Sequence, residues 1–418
     1  MQIRIPKGTK DVLPKDIYKW HFIEDILFEI SSDFGYSEIR TPVFEYTELF
    51  RRGVGDTTDI VQKEMYTFED KGGRSITLRP EGTAGVVRSF IENGMSSNPM
   101  PVKMFYKMTS YRYENVQKGR LREFNQFGAE AFGCALPEMD VEMLSFVDAI
   151  LKKTGVTEVR LLINSLGCPK CKPAYDAELK KYFESESAGL CGLCLTRLDR
   201  NPMRILDCKE TDCRKIAGSA PVMLEYLCPE CLEHFESVKD GLSINGINYQ
   251  VDPKIVRGLD YYTRTVFEFV SDAVGAQGTV CAGGRYDGLV EACGGAPTPG
   301  IGFALGIERL LLQIESEGLV IPVNDGIELY IAAIGTEARK MAAKITYGLR
   351  LKSFSVEYDL MDKSVKAQLK AADRLNAKYS VVIGDDEIEN GRVRIRKMSD
   401  GSETEFLLDE LGNRVILS

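Results

Sequence analysis

Four segments of the chain concentrate arginine, glutamate and glycine beyond what solubility requires. They are Leu78–Thr83 (Leu-Arg-Pro-Glu-Gly-Thr), Ser110–Glu114 continued through Arg120–Gln126 to Glu130, Arg257–Arg264, and Ala282–Asp287 with Gly300–Phe303 and Gly306–Arg309. Arginine forks bind phosphate oxygens in pairs and stay charged at any working pH. Several of them on separate strands could hold a triphosphate and stabilise the charge that develops during attack on phosphorus. Glycines between them let the backbone approach a ligand closely. The phosphate-loop pattern GxxxxGK[ST] is absent, and no GxGxxG follows a strand. A nucleotide bound here would therefore lie on a sheet, held by arginines. For a single Arg–Glu pair, an exposed salt-bridged strand is the ordinary explanation; four such segments interleaved with aromatics are hard to explain that way.

A second group of chemistry-bearing residues is the cysteines. Eight of the eleven fall between Cys168 and Cys231, as the CxxC pairs Cys168/Cys171, Cys191/Cys194 and Cys228/Cys231 and the spaced pair Cys208/Cys213. A CxxC knuckle presents two thiolates to one tetrahedral Zn²⁺. Two four-cysteine sites, one such site, or reduced thiols without metal all satisfy the spacing. Cys134, Cys281 and Cys293 read as small packing residues.

These residues need elements to position them. Helical spacing predicts a helix over about Lys15–Phe34, stopped by Gly35, then a strand over Tyr36–Arg40. Met65–Phe68 and Ser75–Leu78 around Asp70-Lys71-Gly72-Gly73 read as a hairpin, followed by a helix from about Thr83 to Glu92. Lys103–Glu114 and Phe124–Phe132 read as two long strands joined by a polar loop. Val266–Val270, Thr279–Ala282 and Gly300–Ala304 continue a sheet expected to be antiparallel, and Gly306–Ile314 follows as a helix. From about 166 to 246 the chain is Cys-rich with short helical pieces, an inserted subdomain. After a linker at Asn324-Asp325-Gly326, strands and helices alternate as in a compact α/β domain over 326–418.

Composition narrows the class. With 44% hydrophobic and 28% charged residues among 418, the chain reads as a folded protein of two to four domains. Its net charge of −9 excludes an overall basic coat for nucleic acid. Two histidines, His21 and His234, exclude a His-rich metal centre and make a Ser-His-Asp triad hard to build. The N-terminus has no apolar leader and no run of about 18 apolar residues occurs, so a cytoplasmic protein with no membrane span and with reduced thiols is expected.

At these residues the chain resembles a class II aminoacyl-tRNA synthetase, and specifically the histidyl-tRNA synthetase family, over nearly its whole length. Gly35–Pro42 resembles class II motif 1, Phe105–Phe132 motif 2, and Gly300–Leu312 motif 3. Leu259–Glu268 (Leu-Asp-Tyr-Tyr-Thr-Arg-Thr-Val-Phe-Glu) and Ala282–Asp287 (Ala-Gly-Gly-Arg-Tyr-Asp) are similar to the histidine-specific signatures. The resemblance implies an α+β architecture: an antiparallel-sheet catalytic domain over 1–325 carrying the Cys-rich insertion, and a C-terminal α/β anticodon-binding domain over 326–418. It implies ATP-dependent activation of L-histidine to histidyl-adenylate, with Mg²⁺, then transfer to the 3′ end of tRNA(His) in protein biosynthesis, by a homodimer. By the same resemblance Glu81, Thr83 and Gln126 hold the substrate's α-ammonium, while Glu130 and Tyr262 meet the imidazole beside Tyr261. Arg112 takes the α-phosphate, Arg309 clamps the γ-phosphate, Glu114, Arg120 and Phe124 surround ATP, and Arg257 assists catalysis at the α-phosphate. The family does not require zinc, so the reading of the cysteines rests on spacing alone.

Adenylate formation needs positioning and cationic charge more than acid–base chemistry, which suits a chain almost without histidine. Regulatory paralogues that lack the C-terminal domain and lose catalytic residues are the rival; the segment after Asp325 and the retained Arg112, Arg257 and Arg309 argue for the enzyme. The C-terminal segment holds 15 basic and 15 acidic residues. Its densest basic stretch, Arg392, Arg394, Arg396 and Lys397, alternates so that the three arginines share a strand face.

Overall fold

The computed structural model describes residues 3–55, 58–274, 278–323 and 326–411. The chain separates into two compact units, Met1–Ile321 and Pro322–Ser418. The linker read from the sequence falls a few residues after this division, and its Asn324 and Asp325 lie outside the described residues.

In the first unit the strands are β1 (Ser37–Glu38), β2 (Phe44–Tyr46), β3 (Tyr66–Glu69), β4 (Ser75–Leu78), β5 (Val102–Tyr111), β6 (Glu123–Phe132), β7 (Arg160–Ser165), β8 (Tyr249–Val251), β9 (Thr263–Val270), β10 (Thr279–Arg285) and β11 (Gly300–Gly306). Eight form one sheet in the order β1-β5-β6-β11-β10-β9-β7-β8, while β2-β4-β3 form a small sheet of their own. The large sheet is antiparallel as expected through its middle but not at its two edges, where β1 runs parallel to β5 and β8 parallel to β7. The β7–β8 pair is parallel because the Cys-rich insertion lies between them as a long crossover, which a hairpin turn could not supply.

Strand periodicity divides the large sheet into two faces. Phe105, Phe127, Ala129, Ile301, Phe303, Phe267 and Phe269 are buried on one side, packed with Ile23, Leu27 and Ile30 of the Ile17–Asp33 helix and with Phe146, Val147 and Ile150 of the Pro137–Thr154 helix. The alternate residues Ser110, Gln126, Glu130, Glu268 and Gly302 occupy the other face. The helix at Pro137–Thr154 was not read from the sequence; it starts with proline in its first turn and ends on Gly155 at φ +80.

The insertion is helical, with helices Lys172–Ser185, Gly192–Arg200, Thr211–Ala217 and Pro229–Ile244. Its small core mixes Tyr175, Leu179, Phe183 and Ile205 with Cys171, Cys194, Cys208, Cys213 and Cys231. Such a core is too thin to be secure on apolar burial alone.

The second unit is a five-stranded sheet with β12 (Leu329–Ala333), β13 (Val356–Tyr358), β14 (Tyr379–Ile383), β15 (Arg392–Lys397) and β16 (Glu403–Leu407), in the order β13-β12-β14-β15-β16. Leu329, Ile331 and Ala333 pack on the Thr336–Arg350 helix, and Tyr330 and Ala332 on the Val365–Arg374 helix, so both faces of β12 are covered. Arg392, Arg394 and Arg396 are exposed while Val393 and Ile395 are buried.

Candidate active site

A cavity of about 540 Å³ lies over the polar face of the large sheet, and eleven of the twelve non-cysteine residues singled out from the sequence line it. At one end, the turn after β4 brings Glu81 and Thr83 to the start of the Thr83–Glu92 helix. The Glu81 carboxylate accepts the backbone N–H of Thr83 at 2.7 Å and of Ala84 at 2.9 Å, satisfying donors that the helix itself leaves unpaired. Burial pushes the Glu81 carboxyl above its ordinary value, opposed by those N–H groups.

The tyrosines close the same end. Tyr261 and Tyr262 lie with ring centroids 4.6 Å apart, and Tyr261 meets Tyr286 edge-on at 5.6 Å. Burial raises the phenols of Tyr261 and Tyr286 well above their usual range, so they act as hydrogen-bonding groups and not as phenolates. Gln126 is held by the Ser110 hydroxyl at 3.0 Å.

Glu130, expected against the imidazole, is not part of the cavity wall. It lies fully buried beneath the floor, where it accepts hydrogen bonds from Thr83 Oγ1 at 2.7 Å, Tyr106 at 3.0 Å and the Tyr286 hydroxyl. Burial raises its carboxyl to about 8. Cross-strand from it stands Gly302, where a Cβ would fall 1.7 Å from Glu130 Oε2. The side chain crosses a gap that only glycine leaves.

The cationic end is built by arginines whose orientation other groups set. Arg112 donates to Pro80 O at 2.8 Å and lies over the Phe124 ring at 5.3 Å. Arg120 pairs with Glu114 at 3.1 Å. Arg309 donates to Gly119 O at 3.1 Å and to Thr279 O at 2.6 Å, tying the third motif to the loop of the second. Burial, with Arg120 and Arg112 nearby, lowers its affinity for its proton. Arg257 pairs with Glu268, which also accepts from Thr279 Oγ1 at 2.9 Å, and stacks over Tyr262 at 5.8 Å.

Some of the framework escaped sequence reasoning. Glu308 accepts the Asn125 backbone and side-chain N–H groups at 2.9 Å, locking motif 3 to β6. Arg285 donates to Asp140 at 2.8 Å, and Asp140 also meets His234 at 3.2 Å. Both partners come from segments whose contribution no local pattern signals. Asp207 and Lys209, from the insertion, also line the cavity.

The eight cysteines gather into two groups, Cys168/Cys171/Cys228/Cys231 and Cys191/Cys194/Cys208/Cys213, each with all its sulfurs within 4.8 Å of one another. Sulfur separations are 3.7 Å for Cys168–Cys171, 3.9 Å for Cys168–Cys228 and 3.9 Å for Cys191–Cys208. Four sulfurs at about 2.3 Å from a central Zn²⁺ would be roughly 3.8 Å apart, so the spacing fits tetrahedral zinc. Backbone N–H groups of Cys228 and Cys191 donate to Cys171 Sγ at 3.1 Å and Cys213 Sγ at 3.2 Å, which suits thiolates.

An antiparallel-rich sheet with converging arginines on its polar face, joined to a C-terminal α/β unit, is the fold of a class II aminoacyl-tRNA synthetase. The family model for histidyl-tRNA synthetase matches residues 8–170 and 211–310, and that for an anticodon binding domain matches residues 319–416. The histidine–tRNA ligase of Acetivibrio thermocellus is 59% identical over 415 residues, covering 99% of this chain and 100% of that protein. That of Caldanaerobacter subterraneus is 51% identical over 411 residues, covering 98% and 99%. The crystal structure of apo histidyl-tRNA synthetase from Staphylococcus aureus superposes with a TM-score of 0.85 at 42% identity, covering 98% of this chain and 99% of that one. The chain belongs to the histidyl-tRNA synthetase family. Ligation of histidine to tRNA in translation, with ATP and Mg²⁺, is its activity. No helix among the described residues is long and apolar enough to cross a membrane.

Proposed function

We propose that this cavity performs both steps of the ligation, with the roles divided between its two ends. Histidine lies at the tyrosine end: Glu81, Thr83 and Gln126 take the α-ammonium, and Tyr261 and Tyr262 face the imidazole. Glu130 serves the imidazole end from beneath, through the Thr83 and Tyr286 hydroxyls that share its carboxyl. ATP lies at the arginine end, its adenine on Phe124 beside Glu114 and Arg120, with Arg112 and Arg257 at the α-phosphate and Arg309 at the γ-phosphate. A histidine carboxylate oxygen attacks the α-phosphorus, and the bond to the β-phosphate breaks as pyrophosphate leaves. Fixed guanidinium groups stabilise the charge that accumulates there without reorganising. A ribose hydroxyl of the terminal adenosine of tRNA(His) then attacks the histidyl carbonyl and releases AMP. The observation that carries this reading is the convergence of Arg112, Arg257 and Arg309, from three distant segments, on one cavity that also holds Glu81, Tyr261 and Tyr262.

Pyrophosphate exchange into ATP tests it. Exchange should depend on histidine; stimulation by a different amino acid, or none, overturns the assignment.

The remaining parts of the reading are narrower. Unit 1–321 is the catalytic domain and the second unit the anticodon-binding one, where the exposed Arg392, Arg394 and Arg396 suit a phosphate backbone. The protein works as a homodimer in the cytoplasm: the small sheet exposes Phe44, Tyr46 and Phe68, next to the segment resembling motif 1, and none of the cysteines is paired in a disulfide. Each cysteine group holds one Zn²⁺, which fixes the insertion and does no chemistry on substrate. Mass spectrometry of purified protein should find about two equivalents of zinc; less than half an equivalent of any metal removes the two-site reading.

A further inference from the structure

Asp207 and Lys209 are the insertion's contribution to the catalytic cavity, and they flank Cys208 of the second cysteine group. Cys208 is buried, while its neighbours Asp207 and Lys209 are partly and largely exposed and line the cavity. The backbone at Lys209 is anchored through its neighbour Cys208, whose Sγ lies 3.9 Å from Cys191 Sγ. The insertion is also latched to the catalytic segment itself. The buried Arg204 guanidinium donates to Arg257 O at 3.3 Å, and Asn201 donates to Asp260 Oδ1 at 3.2 Å. The helical insertion thus places a cation in the lining of the pocket and is hydrogen-bonded to the backbone of Arg257.

The ammonium of Lys209 is paired with Asp207, and the two side chains are 62% and 42% exposed to water. A pair so exposed holds weakly, so a phosphate entering the cavity can displace the carboxylate. The less exposed arginines of the cavity already spend part of their N–H groups on carbonyls or glutamates, so Lys209 adds a cation to those they offer. We propose that Lys209 is a phosphate-binding residue of this enzyme, held in register by the second cysteine group. Its ligand is a phosphate oxygen, from the polyphosphate of ATP or from the 3′-terminal phosphodiester of tRNA. The rigidity of its loop rests on the zinc reading of that group.

The test uses the full-length chain as purified, with Lys209→Ala and Lys209→Arg, measuring KM and kcat separately in tRNA-free exchange and in transfer, with zinc content determined on each sample. K209A should raise one KM by about 5- to 20-fold, with kcat and melting temperature little changed, and K209R should restore most of it. A rise in KM for ATP identifies the nucleotide as the source; a rise confined to tRNA identifies the acceptor end. Both KM values within twofold of wild type overturn the proposal, whatever the zinc content. A raised KM in protein holding less than half an equivalent of zinc removes the zinc reading and leaves the lysine contact standing.

Discussion

The Thr83 hydroxyl donates to the Glu130 carboxyl across 2.7 Å, joining the first residue of a helix to the C-terminal part of β6. Glu81, two residues earlier, caps that same helix with its own carboxylate. The start of this helix therefore links two buried carboxyl groups at the tyrosine end of the cavity, Glu81 in its wall and Glu130 beneath its floor. Because Thr83 and the tyrosines surround Glu130 with donors, a group that would be costly to bury alone becomes part of the frame.

That frame has a pH signature. Burial raises Glu130 to about 8, far above an ordinary carboxyl near 4.5, so the folded chain binds this proton more tightly than the unfolded chain. The associated stability is complete below about pH 4.5 and is lost as pH rises through 8. In full it amounts to on the order of 5 kcal/mol. Urea unfolding at pH 5 and pH 8 should show wild type weakening relative to Glu130→Gln as pH rises. Equal slopes for the two chains would mean that the carboxyl is not held protonated.

Arg257→Ala should reduce histidine-dependent exchange by about 100-fold or more. The loss of stability should stay near 1–2 kcal/mol, because Glu268 keeps its bond from Thr279 and some access to water. Wild-type exchange in this variant would refute the role of Arg257 at the α-phosphate.

Phe124→Leu should raise the KM for ATP by about 5- to 50-fold and leave that for histidine unchanged, since base–aromatic stacking is worth roughly 1–3 kcal/mol. Steady-state exchange kinetics with each substrate varied in turn separate the two. An equal effect on both would place Phe124 in general packing under Arg112 and not under adenine.

Gly302→Ala should destabilise the chain by more than about 3 kcal/mol and abolish activation. The new Cβ would meet Glu130 Oε2 at 1.7 Å and the backbone Ala129 O at 2.6 Å. Gly288→Ala, where nothing lies within 4 Å, is the matched control and should be near neutral. A stable Gly302 variant would show that the strand spacing relaxes more easily than the close packing implies.

Local patterns were legible wherever the determinant is a short stretch of chain. The Thr83–Glu92 helix and the strands Ser75–Leu78 and Tyr379–Ile383 stand where periodicity put them, because burial of one face repeats at each turn or every second residue. The arginine-bearing motifs were legible for the same reason: each is a contiguous segment with its own pattern. The opposite holds for the cysteines. Spacing made each CxxC a knuckle, but Cys168/Cys171 meets Cys228/Cys231 across the whole insertion while the inner pairs meet one another, a choice made by helix packing. Glu130 shows the limit most clearly. Its residue type and its place on β6 announced a polar group at the site, yet only the missing Cβ of Gly302, on a strand about 170 residues away, sends it under the floor. Sequence alone determined the family and the local elements that carry the arginines, because both are encoded in short stretches of chain. The tertiary structure decided which groups share a wall, which carboxyl is sealed from water and that Lys209 reaches the cavity, because those depend on distances between segments that no spacing along the chain records.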